Sequence, residues 1–159
     1  MPAEPGKPAL EGKRGEPEDG QKSPNAALVA LSKGYVVAAP GARGRTEPTG
    51  KAPAAIVDLK AAVRYLKAND KVMPGDAAKL ISNGTSAGGA MSALLGATAD
   101  QKDYEKYLKA LGAADGSDKI FAVSAYCPIT DLEHADMAYE WQFNGVNDYK
   151  KMNISMLDY

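Results

Sequence analysis

Lys79-Leu80-Ile81-Ser82-Asn83-Gly84-Thr85-Ser86-Ala87-Gly88-Gly89-Ala90-Met91-Ser92-Ala93-Leu94-Leu95 is the stretch on which the reading of this chain turns. A short apolar run over 79–83 enters a glycine-flanked serine, and an Ala/Leu-rich helical stretch leaves it. Strand, G-x-S-x-G, helix puts Ser86 in a sharp turn with its hydroxyl pointing out of the fold. Neighbours two residues to either side of such a serine must lack a Cβ, and Gly84 and Gly88 meet that demand. Ala87 and Gly89 keep the helix start slim, so backbone N–H groups can face a developing oxyanion. The plainer alternative is a Gly/Ser-rich turn that matches a loose pattern by chance. The strand before and the helix after favour the nucleophile.

Upstream, Ser23-Pro24-Asn25 is a helix start signal for Ala26-Ala27-Leu28-Val29-Ala30-Leu31, and Lys33-Gly34 is a stop signal. Tyr35-Val36-Val37-Ala38-Ala39 then reads as a strand buried on both faces, and Pro40–Lys51 as a loop. The next helix is expected over about 53–68, with Ile56, Leu59, Val63 and Leu66 on one face. Asp58, Lys60, Arg64 and Lys67 are expected around the rest of it, and Pro53 in its first turn. Beyond the serine, a helix is expected over about 103–111 with Tyr104, Tyr107, Leu108 and Leu111 on one side. Ile120–Tyr126 reads as a third strand and Leu132–Phe143 as helical. Helix and strand alternate, which predicts an α/β fold with a mainly parallel sheet flanked by helices. Ligands of such sheets bind beyond the carboxyl ends of the strands, where the Pro40 loop, Ser86 and the Cys127–Asp131 loop all fall.

The 159 residues suffice for one domain with a core. Hydrophobic content of 45%, charged content of 25% and a net charge of −1 with scattered signs carry no nucleic-acid or polybasic membrane footprint. No run reaches the length of a membrane span, and Met1-Pro2-Ala3-Glu4-Pro5 lacks a signal-peptide apolar region. Secreted, periplasmic and cytoplasmic locations all stay open, as does the oligomeric state. The single cysteine, Cys127, sits in an apolar run and reads as a small core residue.

A serine nucleophile needs a base, and the base an orienting acid. The chain's one histidine, His134, lies at the start of the helix after the third strand. That is too early for the Ser, acid, His order of this type of site, so a structural or surface role is expected. Asp131, Glu133, His134 and Asp136 match no defined metal spacing, and acidic residues suit a helix's first turn. No metal and no other cofactor is expected. Pro40-Gly41-Ala42-Arg43-Gly44-Arg45 lacks the G-K-[ST] ending of a phosphate loop. Its arginines remain candidates for an anionic substrate group.

Four runs carry a family resemblance: 34–45 (GYVVAAPGARGR), 52–66 (APAAIVDLKAAVRYL), 83–90 (NGTSAGGA) and 125–136 (AYCPITDLEHAD). In these the chain resembles bacterial tannases, α/β-hydrolases related to feruloyl esterases. The last run is far more specific than the serine motif. The resemblance spans about residues 25–145. It implies a partial α/β-hydrolase fold: residues 1–23 as a loop segment, 24–145 as core, and 146–159 as the start of a lid or insertion. It also implies hydrolysis of galloyl or related phenolic-acid esters, with a small aromatic ester as partner. By position Ser86 becomes the nucleophile and the Ala87 N–H an oxyanion donor. Ile129 becomes a wall of the acyl-ring pocket; a core isoleucine is the open alternative. Family members are several times longer, so the chain is expected to be a fragment whose acid and base lie elsewhere, nearly inactive and poorly soluble alone. A non-catalytic remnant that binds an aromatic ligand, or a serine hydrolase of other specificity (feruloyl esterase, lipase, peptidase), stands as the alternative.

Overall fold

A strand exists through its hydrogen-bonded neighbour, and of the three expected strands two have one among the described residues. The computed structural model describes residues 25–44 and 46–131. Within them Ile81–Thr85 (β1) and Ala122–Tyr126 (β2) pair in parallel, from Ile81 opposite Ala122 to Thr85 opposite Tyr126. The parallel pairing agrees with the α/β expectation. Tyr35–Ala39 corrects it: the segment joins no ladder among the described residues, and Tyr35 and Val36 are 59% and 56% exposed. Its β-branched, apolar composition suits a strand, but composition supplies no partner.

Four helices are described: Ala26–Ser32 (α1), Ala54–Ala68 (α2), Ala87–Ala97 (α3) and Glu105–Leu111 (α4). α1 starts and stops where its signals lie. The Asn25 side chain accepts the Ala27 N–H at 2.9 Å, and Gly34 follows the last turn at φ 85°. Pro53 stands at the cap of α2, just outside its first turn. Between the strands, α3 and α4 supply the crossover, and α3 lies directly on the sheet. α2 packs against α3 and α4. Ile56, Val63 and Leu95 form the buried core, with Leu59, Leu80, Met91, Leu94, Tyr104 and Ile120 packed around them. On α4 only Leu108 is buried; Tyr107 and Leu111 are exposed.

The α2 helix also departs from its expected pattern. Lys60 and Arg64, placed on the polar face by their charge, are buried. Lys60 Nζ donates to Asp118 Oδ1 at 2.8 Å and to the Thr98 carbonyl. Arg64 donates to Asp118 Oδ2 at 3.1 Å and to Glu105. Burial pushes the Asp118 carboxyl up, but hydrogen bonds from Lys60, the Asp100 N–H and Arg64 outweigh it and hold the group below its ordinary range. The sequence held a signal: 56, 60, 63 and 64 share one helical face, so the charges sit within the apolar stripe. No helix among the described residues is long and apolar enough to cross a membrane.

Candidate active site

Ser86 follows β1 directly and caps α3 at φ 58° and ψ −117°. For a residue with a Cβ such a backbone costs on the order of 1–3 kcal/mol and persists only where the surroundings impose it. Here both of its peptide groups are held. The Ser86 N–H donates to the Tyr126 carbonyl at 2.9 Å, and its own carbonyl accepts the Ala90 N–H at 2.9 Å. A serine at a helix cap ordinarily turns its oxygen back onto the first N–H groups. Ser86 makes no such bond and is exposed. The opening N–H groups of α3, which begins at Ala87, are therefore left uncapped by it. The arrangement places a hydroxyl beside a helix N-terminus, where negative charge on an attacked carbonyl oxygen is favoured.

The surrounding glycines divide differently from the expected pair. A Cβ on Gly84 would run into the Gly88 carbonyl and come within 2.9 Å of Ser92 Oγ. A Cβ on Gly88 would meet nothing within 4 Å. The second strict requirement falls instead on Gly89, whose Cβ would lie 2.6 Å from the Tyr126 carbonyl and 3.2 Å from Pro128 Cα. That close approach seats the first turn of α3 on the end of β2 and the loop after it.

The same loop carries the other two points of interest. Cys127 is exposed at φ 46°, not a core residue: the parallel ladder ends at Tyr126, one residue before it. Ile129 is 44% exposed among the described residues. Ser86 and Cys127 thus stand side by side, each just past the end of its paired strand and each at positive φ.

Arg43 belongs to the frame of the loop after residue 39. Its backbone N–H and Nε reach Asp58 Oδ2 at 2.8 and 2.9 Å, and its Nη2 reaches Oδ1 at 2.7 Å. Burial pushes the Asp58 carboxyl up, and the bonds from Arg43 more than offset this and hold it below the usual range. The guanidinium is thereby committed to α2, which removes it as an anion anchor. Arg45, Glu133, His134 and Asp136, the helix expected over 132–143 and both terminal segments lie outside the described residues.

Residues 13–157 match the BD-FAE family. Among solved structures, the Fusobacterium nucleatum tannase is 63% identical, with a TM-score of 0.71 over 91% of this chain and 32% of that one. A tannin acyl hydrolase in complex with ethyl gallate is 57% identical, with a TM-score of 0.69 over 83% of this chain and 31% of that one. The native Lactobacillus plantarum tannin acyl hydrolase is 57% identical, with a TM-score of 0.67 over 82% and 30%. The chain therefore spans about a third of the length of the tannases it matches. No curated protein matches it. The helices and parallel strands described above are part of the α/β-hydrolase fold of these relatives, and the chain belongs to the BD-FAE family.

Proposed function

We propose that this chain is the nucleophile-bearing part of a carboxylic ester hydrolase of the tannase type, acting on galloyl or related phenolic-acid esters. The observation that carries the reading is the backbone of Ser86, φ 58° and ψ −117° at a strand–helix junction, with a side chain that does not cap the helix. A binding module has no use for that strain. Similarity to a tannin acyl hydrolase that holds ethyl gallate supports the substrate class.

In the proposed reaction a base takes the Ser86 proton as Oγ bonds to the ester carbonyl carbon. The carbonyl oxygen becomes an oxyanion, and the Ala87 N–H donates to it at the positive end of α3. Collapse breaks the bond to the alcohol oxygen, which leaves with the proton from the base. Water then adds to the acyl-enzyme, releases the acid and restores the hydroxyl. Ile129, exposed on the loop after β2, lines the space for the aromatic ring. The base is assigned to a histidine other than His134, within the greater length that the tannases have. On that assignment the 159-residue chain alone turns over ester very slowly, because loss of a triad member costs orders of magnitude in kcat.

Fluorophosphonate labelling of the full-length protein, followed by assays on galloyl, feruloyl and acetyl esters, tests the proposal. Labelling at Ser86 that Ser86→Ala abolishes, with galloyl esters turned over fastest, supports it. A protein that hydrolyses galloyl esters after Ser86→Ala refutes it. Preference for feruloyl or acetyl esters moves the specificity and leaves the serine mechanism in place.

A further inference from the structure

We propose that Asp118 is a positioning residue for Ser86, acting through the far ends of α3 and β2; the functional consequence rests on the esterase reading above. Asp118 is 1% exposed and Lys60 is fully buried. Asp118 Oδ1 accepts Lys60 Nζ at 2.8 Å and the Asp100 N–H at 2.8 Å, while the Asp118 N–H donates to Asp100 Oδ1 at 2.9 Å. Lys60 also donates to the carbonyl of Thr98, the residue that closes α3. One buried carboxylate therefore ties the end of α3 to the segment that enters β2.

The other ends of these two elements are where Ser86 is held. α3 begins immediately after Ser86, and β2 ends at Tyr126, whose carbonyl accepts the Ser86 N–H. The close seat of Gly89 on Tyr126 and Pro128 leaves no slack between them. α3 and β2 are regular, hydrogen-bonded elements packed on each other, so a shift of one against the other at the Asp118 end is carried to the serine end. Arg64, which donates to Asp118 and to Glu105, brings α4 into the same frame. A core that only needed filling would have apolar side chains here, and a buried ion pair is weak evidence for stability as such. Fixing one relative position of α3 and β2 gives the charges a use.

The test is amide hydrogen exchange on the whole protein, comparing the Ser86 amide with that of Val63 in the middle of α2. Asp118→Asn is expected to speed exchange at Ser86 about tenfold more than at Val63, because opening becomes local to the turn. Should Asp118→Asn fail to fold, Glu105→Gln perturbs the network from its exposed rim and is expected to give about threefold in the same sense. Equal acceleration at both amides, or none at Ser86, overturns the proposal and leaves a merely structural network. In the active full-length enzyme, kcat is expected to fall with KM unchanged. The exchange result stands whether or not the protein proves to be an esterase, so failure of one claim is separable from failure of the other.

Discussion

The Ser86 N–H donates to the Tyr126 carbonyl at 2.9 Å, joining the last position of one strand to the first residue beyond its parallel neighbour. The ladder so extended by one bond carries Ser86 past the end of β1 in a conformation that glycine adopts freely and serine does not. The strain sits at the one residue whose hydroxyl the proposed chemistry needs, and it is held by bonds to Tyr126 and Ala90.

Relief of that strain is measurable. Ser86→Ala keeps a Cβ at φ 58° and retains the cost, whereas Ser86→Gly removes it. The glycine variant is expected to be about 1 kcal/mol more stable than the alanine variant, despite the greater freedom of glycine in the unfolded chain. Denaturant midpoints of the two decide it. Equal midpoints would mean that the turn stores no strain.

The two glycines flanking the serine are expected to behave oppositely. Gly84→Ala forces a methyl group against the Gly88 carbonyl and is expected to cost about 3 kcal/mol. Gly88→Ala adds a methyl group in open space on a helical residue, so it is expected to be neutral or to stabilise by up to about 1 kcal/mol. Gly89→Ala, against the Tyr126 carbonyl, should resemble Gly84→Ala. Thermal melting of the three variants separates these cases, and a destabilised Gly88→Ala would contradict the packing described for the turn.

What the sequence made legible was local. The Gly84–Ser86–Gly88 spacing marked the turn, and Asn25 and Gly34 marked α1, because caps and turns depend on a few adjacent residues. Features that depend on distant partners were hidden. Tyr35–Ala39 has strand composition, but pairing is a property of two segments. Charge alone assigns Lys60 and Arg64 to the polar face, although their spacing from Ile56 and Val63 sets them in the stripe; Asp118, their partner, is far along the chain. At the site, the serine was readable and the division of labour between Gly88 and Gly89 was not. The approach of Tyr126 and Pro128 to Gly89 exists only once β2 lies beside β1.

Arg43 and Asp58 give a third prediction. Asp58 binds both the backbone and the guanidinium of Arg43, so it fixes the conformation of the chain at the arginine as well as its charge. Asp58→Asn weakens three charge-assisted bonds at once. Trypsin needs an extended, accessible segment, and cleavage after Arg43 is expected to become about fivefold faster in the variant as local opening becomes easier. Mass spectrometry of early digests checks it. An unchanged rate would show that other contacts hold this loop.

Asp118 supplies the last prediction, through pH. Its carboxyl, pushed up by burial but held below its ordinary range by Lys60, the Asp100 N–H and Arg64, has a lower pKa folded than unfolded. The unfolded chain therefore takes up its proton first as pH falls, and the stabilisation is present above the unfolded value of about 3.9 and lost through the lower folded value. At pH 7, Asp118→Asn leaves Lys60 and Arg64 without this charge, although Glu105 still faces Arg64. The expected cost there is about 3 kcal/mol. Below the folded pKa the native residue is itself neutral, so the gap between the two proteins narrows. Asp58 and Glu105 also have lowered pKa values, but they titrate in both proteins and cancel to first order in the difference. Urea unfolding of the pair from pH 7 down to pH 3 reads this directly. A gap that stays constant across that range would show that the Asp118 charge is not what holds Lys60 and Arg64 in the interior.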